Sequence, residues 1–75
     1  NISVYPNPSS YIIHICSDKG FKATLFDLSG KPLMETETDG TRNSLSVIGL
    51  SAGMYLLQII QNGQMQCFSV AVIRP

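Results

Sequence analysis

Tyr55-Leu56-Leu57-Gln58-Ile59-Ile60-Gln61-Asn62-Gly63-Gln64-Met65-Gln66-Cys67-Phe68-Ser69-Val70-Ala71-Val72 decides the fold. Tyr55, Leu57 and Ile59 recur at alternate positions, and so do Phe68, Val70 and Val72, so each run turns one apolar side toward a common face. Asn62-Gly63 lies between the two runs. Both residues tolerate positive φ, which a type I′ turn requires at both of its central positions, so Gln61 to Gln64 reads as a tight antiparallel turn. The nearest helical candidate, Ser51 to Gln61, contains Gly53 and keeps the period of two, so no helix is expected.

Working outward from this hairpin, the same alternation predicts strands over Ile2–Tyr5, Ser10–Cys16, Phe21–Asp27, Lys31–Glu37, Asn43–Ile48, Met54–Ile60 and Met65–Ile73. Asp18-Lys19-Gly20, Asp27-Leu28-Ser29-Gly30 and Asp39-Gly40 supply turns between them. Pro32 restricts pairing at the start of the fourth strand, so that strand is expected to be short or at a sheet edge. Ile13, Ile15, Ala23, Leu25, Leu45, Val47, Tyr55, Leu57, Ile59, Phe68, Val70 and Val72 are the inward-facing set. Short strands at roughly ten-residue spacing indicate an all-β, seven-stranded antiparallel sandwich of immunoglobulin-like type. Tyr55, near the start of the sixth strand, suits the corner tyrosine of such sandwiches.

The chain has 75 residues, 44% of them apolar. That length supports one core, so residues 1–75 are expected to form one domain, burying roughly 60% of the surface the unfolded chain exposes. Five basic and five acidic residues balance without forming a run, which leaves no electrostatic footprint for nucleic acid. Charged residues are only 13% of the chain. The start at Asn1, without a signal peptide or a membrane-length apolar run, suggests a piece of something longer.

His14 and Cys16 could pair as base and nucleophile, since they share one strand face. Their Cα atoms would stand about 6.6 Å apart, beyond direct reach for short side chains, and no third group orients the His. One His and two distant Cys lack the close ligand spacing of a zinc site. Cys16 and Cys67 could bridge if their strands were neighbours, or could both face solvent. Asp18, Asp27 and Asp39 fit turns, and Glu35 and Glu37 fit a polar strand face. No catalytic residue, metal ligand or cofactor motif is read here, and no enzyme is expected.

Four segments in series carry a resemblance. Val4-Tyr5-Pro6-Asn7-Pro8 resembles the opening of the type A C-terminal sorting domains of the type IX (Por) secretion system. Ala23 to Lys31, with Asp27 and Gly30, is similar to that family's strand and acidic turn. Leu50 to Ile59, with Leu50, Gly53, Tyr55 and Leu57, is similar to its leucine, glycine and tyrosine signature. Phe68 to Arg74, with Val70, Val72 and Arg74, resembles its last strand and terminal basic residue. Two departures stand out: Pro75 follows the basic residue, and Cys67, Ser69 and Ala71 stand where family members often carry lysines nearby.

The resemblance implies a sorting signal that directs a covalently attached upstream cargo through the periplasm to the outer-membrane translocon. A sortase-like peptidase would then cut upstream of the domain, leaving the cargo at the cell surface or secreted. Physical roles stand beside it: Pro6 and Pro8 end the first strand, and Gly53 lets Tyr55 reach the corner. An exposed edge strand would offer a partner unpaired backbone groups, and would also invite homodimers by strand exchange. The alternative is an adhesive or carbohydrate-binding module, which the lack of Trp disfavours.

Overall fold

In a computed structural model that describes residues 2–74, Asn62 and Gly63 have φ of +52° and +74°, and the two-residue turn pairs Gln61 with Gln64. Asn1 and Pro75, both within the expected span, lie outside the described residues. The strands are β1 (Ile2–Tyr5), β2 (Ile12–Ser17), β3 (Phe21–Phe26), β4 (Pro32–Thr38), β5 (Arg42–Ser46), β6 (Gly53–Gln61) and β7 (Gln64–Val72). Every pairing between them is antiparallel.

Most boundaries agree with expectation to within one residue, and the two that differ by two residues do so for a shared reason. β2 begins at Ile12 rather than Ser10, and β5 ends at Ser46 rather than Ile48. The backbone just outside each strand is used elsewhere: Val47 N–H donates to Tyr11 O at 2.8 Å, and Leu50 N–H closes a turn on Val47 O at 3.0 Å. Alternation marks which side chains point inward but not where a ladder hands its hydrogen bonds to a loop.

The sheets have the orders β1-β2-β5 and β4-β3-β6-β7. This is an immunoglobulin-like sandwich in which the fourth strand joins the sheet of the third, sixth and seventh. Pro32 opens β4 at that sheet's edge, where no neighbour needs its missing N–H.

The core between the sheets contains the expected set with one exception. Ile13, Ile15, Ala23, Leu25, Leu45, Val47, Tyr55, Leu57, Ile59, Val70 and Val72 are all buried. Phe68 packs against the core but stays half-buried. Phe21, on the same alternation as Ala23 and Leu25 but outside the expected set, joins the interior, and Ser9 and Thr24 are buried as well. Tyr55 forms the corner: its hydroxyl donates to Ser51 O at 2.6 Å, four residues upstream.

The cysteines do not bridge. Cys16 lies in β2 between β1 and β5, whereas Cys67 lies in β7 of the other sheet, and both are free thiols.

Candidate functional site

The antiparallel courses bring the segments Pro6–Tyr11, Asp27–Lys31 and Val47–Ala52 and the residues after β7 to one end of the sandwich. The Asn62-Gly63 turn, the β2–β3 and β4–β5 turns and the start of β1 lie at the other. Eight of the residues singled out in the sequence therefore meet at one end: Pro6, Asn7, Pro8, Asp27, Gly30, Leu50, Gly53 and Arg74. They are far apart in sequence, and only the strand directions gather them.

Asn7 acts as a piece of surrogate strand. Its side-chain NH2 donates to Ser69 O at 2.9 Å and its side-chain carbonyl accepts from Ala71 N–H at 3.0 Å, so one amide pairs with the outer edge of β7 as a peptide unit would. Ser9 continues the contact, donating its N–H to Ala71 O at 2.8 Å and accepting from Ile73 N–H at 2.9 Å. The Ser9 hydroxyl is buried and donates to Pro6 O. Pro6 and Pro8 flank Asn7 and contribute no N–H of their own, so the segment cannot extend the ladder as an ordinary strand.

Arg74 closes the same end. Its guanidinium donates to the carbonyls of Ser10, Val47, Ile48 at 3.2 Å, Leu50 at 2.8 Å and Ile73 at 3.0 Å. A rigid fork of five N–H donors can serve acceptors on three segments at once. Committed in this way, Arg74 is not a free cation for an anionic ligand. Leu50 packs half-buried against the core while its carbonyl takes part in this clasp.

Gly53, at φ +155°, begins β6 and sets the corner that carries Tyr55. A Cβ there would meet nothing within 4 Å, so the backbone conformation and not crowding calls for glycine. Asp27 organises its turn by accepting from Ser29 Oγ at 2.6 Å, Ser29 N–H at 2.9 Å and Lys31 N–H at 3.0 Å. Hydrogen bonding, first from the Ser29 hydroxyl and then from the Lys31 amide, holds its carboxyl below the ordinary value. Gly30, at φ +93°, donates its N–H to Asp27 O at 3.0 Å.

The remaining sequence candidates stand apart. Leu57, Val70 and Val72 are core residues with no accessible surface to speak of. Tyr5 lies on the outer face of the three-stranded sheet, its ring centroid 5.4 Å from that of His14 and its hydroxyl 3.3 Å from Cys16 Sγ. That thiol, as hydrogen-bond partner and then as charge, holds the Tyr5 phenol above its ordinary value. Among the described residues no group of three His, Cys, Asp or Glu could hold a metal ion.

The family model described as the secretion system C-terminal sorting domain matches residues 3–73. The chain belongs to that family. It is therefore the C-terminal sorting signal of a type IX secretion cargo, part of a larger protein exported to the outer membrane, the cell surface or the medium. A search of the curated proteins finds no match.

Two contributors to this end of the sorting domain, Ser9 and the Ser51 carbonyl, escaped the sequence reading. Ser9 bridges the motif segment to β7, and Ser51 O anchors the corner tyrosine. The available signal for Ser9 was a small hydroxyl residue directly after Pro8, too common to single out. A backbone acceptor such as Ser51 O leaves no mark in a sequence.

Proposed function

We propose that this domain is a non-catalytic address read as a folded object, and that the outer edge of β7 is the surface the outer-membrane translocon reads. The cargo, joined upstream of Asn1, would cross the periplasm with the sandwich formed, and a sortase-like peptidase would cut in the preceding linker. Residues 1–75 act as one sorting unit in this reading.

The supporting observation is that the motif residues are spent internally. Asn7, Asp27, Tyr55 and Arg74 each bond to this chain's own backbone. A linear code would leave such side chains free. What they build instead is a β7 whose edge is covered at Ser69–Ile73 and open from Met65 to Cys67. An open edge gives a partner strand backbone hydrogen bonds, and alternate side chains give selectivity.

Export of the full-length cargo carrying Cys67→Pro tests this. Ala71 N–H and O point outward from β7, so by the period of two the Cys67 N–H does as well, and proline removes a donor the sandwich does not use. The expected result is cargo retained in the periplasm with the domain still folded by circular dichroism. Normal surface display of that variant would overturn the edge as the reading surface.

A further inference from the structure

The three-stranded sheet turns its second face to solvent, and that face has a composition of its own. Across β1, β2 and β5 the register sets two rows side by side, Tyr5, His14 and Ser44 in one and Ser3, Cys16 and Arg42 in the next. These positions alternate with the core residues Val4, Ile13, Ile15 and Leu45, so they point away from the interior. No Asp or Glu occurs in any of the three strands. The carboxylates of the chain lie on β4 and in the turns at Asp18, Asp27 and Asp39.

Tyr5, His14, Cys16 and Arg42 line a depression of about 250 Å³ on this face. The Tyr5 and His14 rings stand 5.4 Å apart with a tilt of 31°, which gives it an aromatic side, and the Tyr5 hydroxyl meets Cys16 Sγ at 3.3 Å. Arg42 is the partner of Cys16 on the neighbouring strand. The thiol, first as hydrogen-bond partner and then as charge, raises the Tyr5 phenol, while the guanidinium is near enough to act on it in the opposite direction.

Arg42 is not neutralised by the chain's own acids. Among the described residues the ion pair joins Lys22 to Glu35 at 3.4 Å, and neither Asp18 nor Asp39, in the turns beside Arg42, pairs with it. The other arginine, Arg74, is committed to backbone carbonyls. A guanidinium presents a planar fork of donors that matches two oxygens of one carboxylate or phosphate. With an imidazole beside it and no acid in the sheet, the depression favours an oxyanion over a cation.

We infer that this depression is a binding site for a small oxyanion ligand, a carboxylate or a phosphate monoester, held by the Arg42 guanidinium with its organic part against the Tyr5 and His14 rings. The volume admits such a ligand whole, since one water molecule of the liquid takes about 30 Å³. The site lies on the sheet that does not contain β7, so it is independent of the edge proposed to meet the translocon.

Cys16 is a built-in reporter of the site and Cys67 is its control. Cys67 lies on the β6–β7 hairpin, where no Asp, Glu, Lys, Arg or His occurs between Arg42 and Arg74. In the full-length cargo both thiols are alkylated in parallel with iodoacetate, which carries a carboxylate, and with neutral iodoacetamide, and each site is followed by peptide mass spectrometry. In both reactions the sulfur displaces iodide and the thiol proton passes to the buffer. The iodoacetate-to-iodoacetamide rate ratio at Cys16 should exceed that at Cys67 about fivefold, the scale of one close charge pair in water. Arg42→Gln should bring the two ratios level, and Arg42→Lys should keep part of the difference.

A second measurement needs no variant. Inorganic phosphate and acetate, each compared with sodium chloride at equal ionic strength, should slow the reaction of Cys16 with iodoacetamide and leave Cys67 unchanged. Greater protection by phosphate assigns a phosphate monoester, and greater protection by acetate assigns a carboxylate. Equal reagent preference at the two cysteines, a preference that survives Arg42→Gln, or protection no greater than chloride gives would overturn the site.

Discussion

At the residue scale, a single amide does the work of a short strand. Asn7→Ala removes one donor and one acceptor from the β7 edge, and with a net value near 1 kcal/mol for each hydrogen bond the loss should be about 1–2 kcal/mol in urea denaturation. Asn7→Asp keeps the acceptor toward Ala71 N–H but sets a charge against Ser69 O, so it should not restore stability. Tyr55→Phe deletes only the bond to Ser51 O and should cost about 1 kcal/mol. Asp27 adds a pH dependence with a definite sign. Its folded carboxyl lies below its ordinary value, so the turn is fully supported above the usual carboxylate range and loses that support as pH falls through Asp27's own lower value. An NMR titration should find Asp27 to be the carboxylate that resists protonation, and Ser29→Ala, which removes the largest cause, should move its midpoint upward. A midpoint unchanged by Ser29→Ala would remove the hydroxyl from the account.

At the element scale, β6 and β7 carry the domain's order. Gly53 starts β6 in a conformation L residues rarely adopt, with open space around it, so Gly53→Ala tests the backbone alone. Forcing a side chain into that region should cost about 1–3 kcal/mol, read as a lower urea midpoint with an unchanged m-value. The strain should also loosen the Tyr55 corner, visible as faster exchange of the β6 amides nearest Gly53. Gly63→Ala at the opposite end should weaken the hairpin while leaving the corner intact, because the two sites share no partner. The two glycines thus separate the turn that starts the hairpin from the bend that closes the sandwich.

At the scale of the whole molecule, Arg74 ties the end of the chain to two other segments, at Ser10 and at Val47–Leu50. Arg74→Lys retains the charge but not the planar fork, so it should lose about 2 kcal/mol, nearly as much as Arg74→Gln. Protease cleavage within Val47–Ser51 should accelerate in both variants, and protection equal to the parent chain would refute the clasp. How far this was legible beforehand follows from the physics of each feature. Local chemistry was readable: Asn62-Gly63 demanded its turn, the expected inward set held eleven of the twelve buried apolar residues, and Asp27 and Tyr55 announced a turn and a corner. These depend on neighbours a few residues away, where side-chain period and allowed φ leave little choice. The partners of Asn7 and Arg74 were not readable, since both bond to backbone atoms more than twenty residues distant, and a peptide carbonyl looks the same at every position. Cys16 and Cys67 fall on separate sheets for the same reason: strand order, not spacing, decides which strands meet. The sequence alone determined an all-β chain with its hairpins and its family motifs. Only the packing of one sheet on the other decided that those motifs would meet at one end and leave the middle of β7 uncovered.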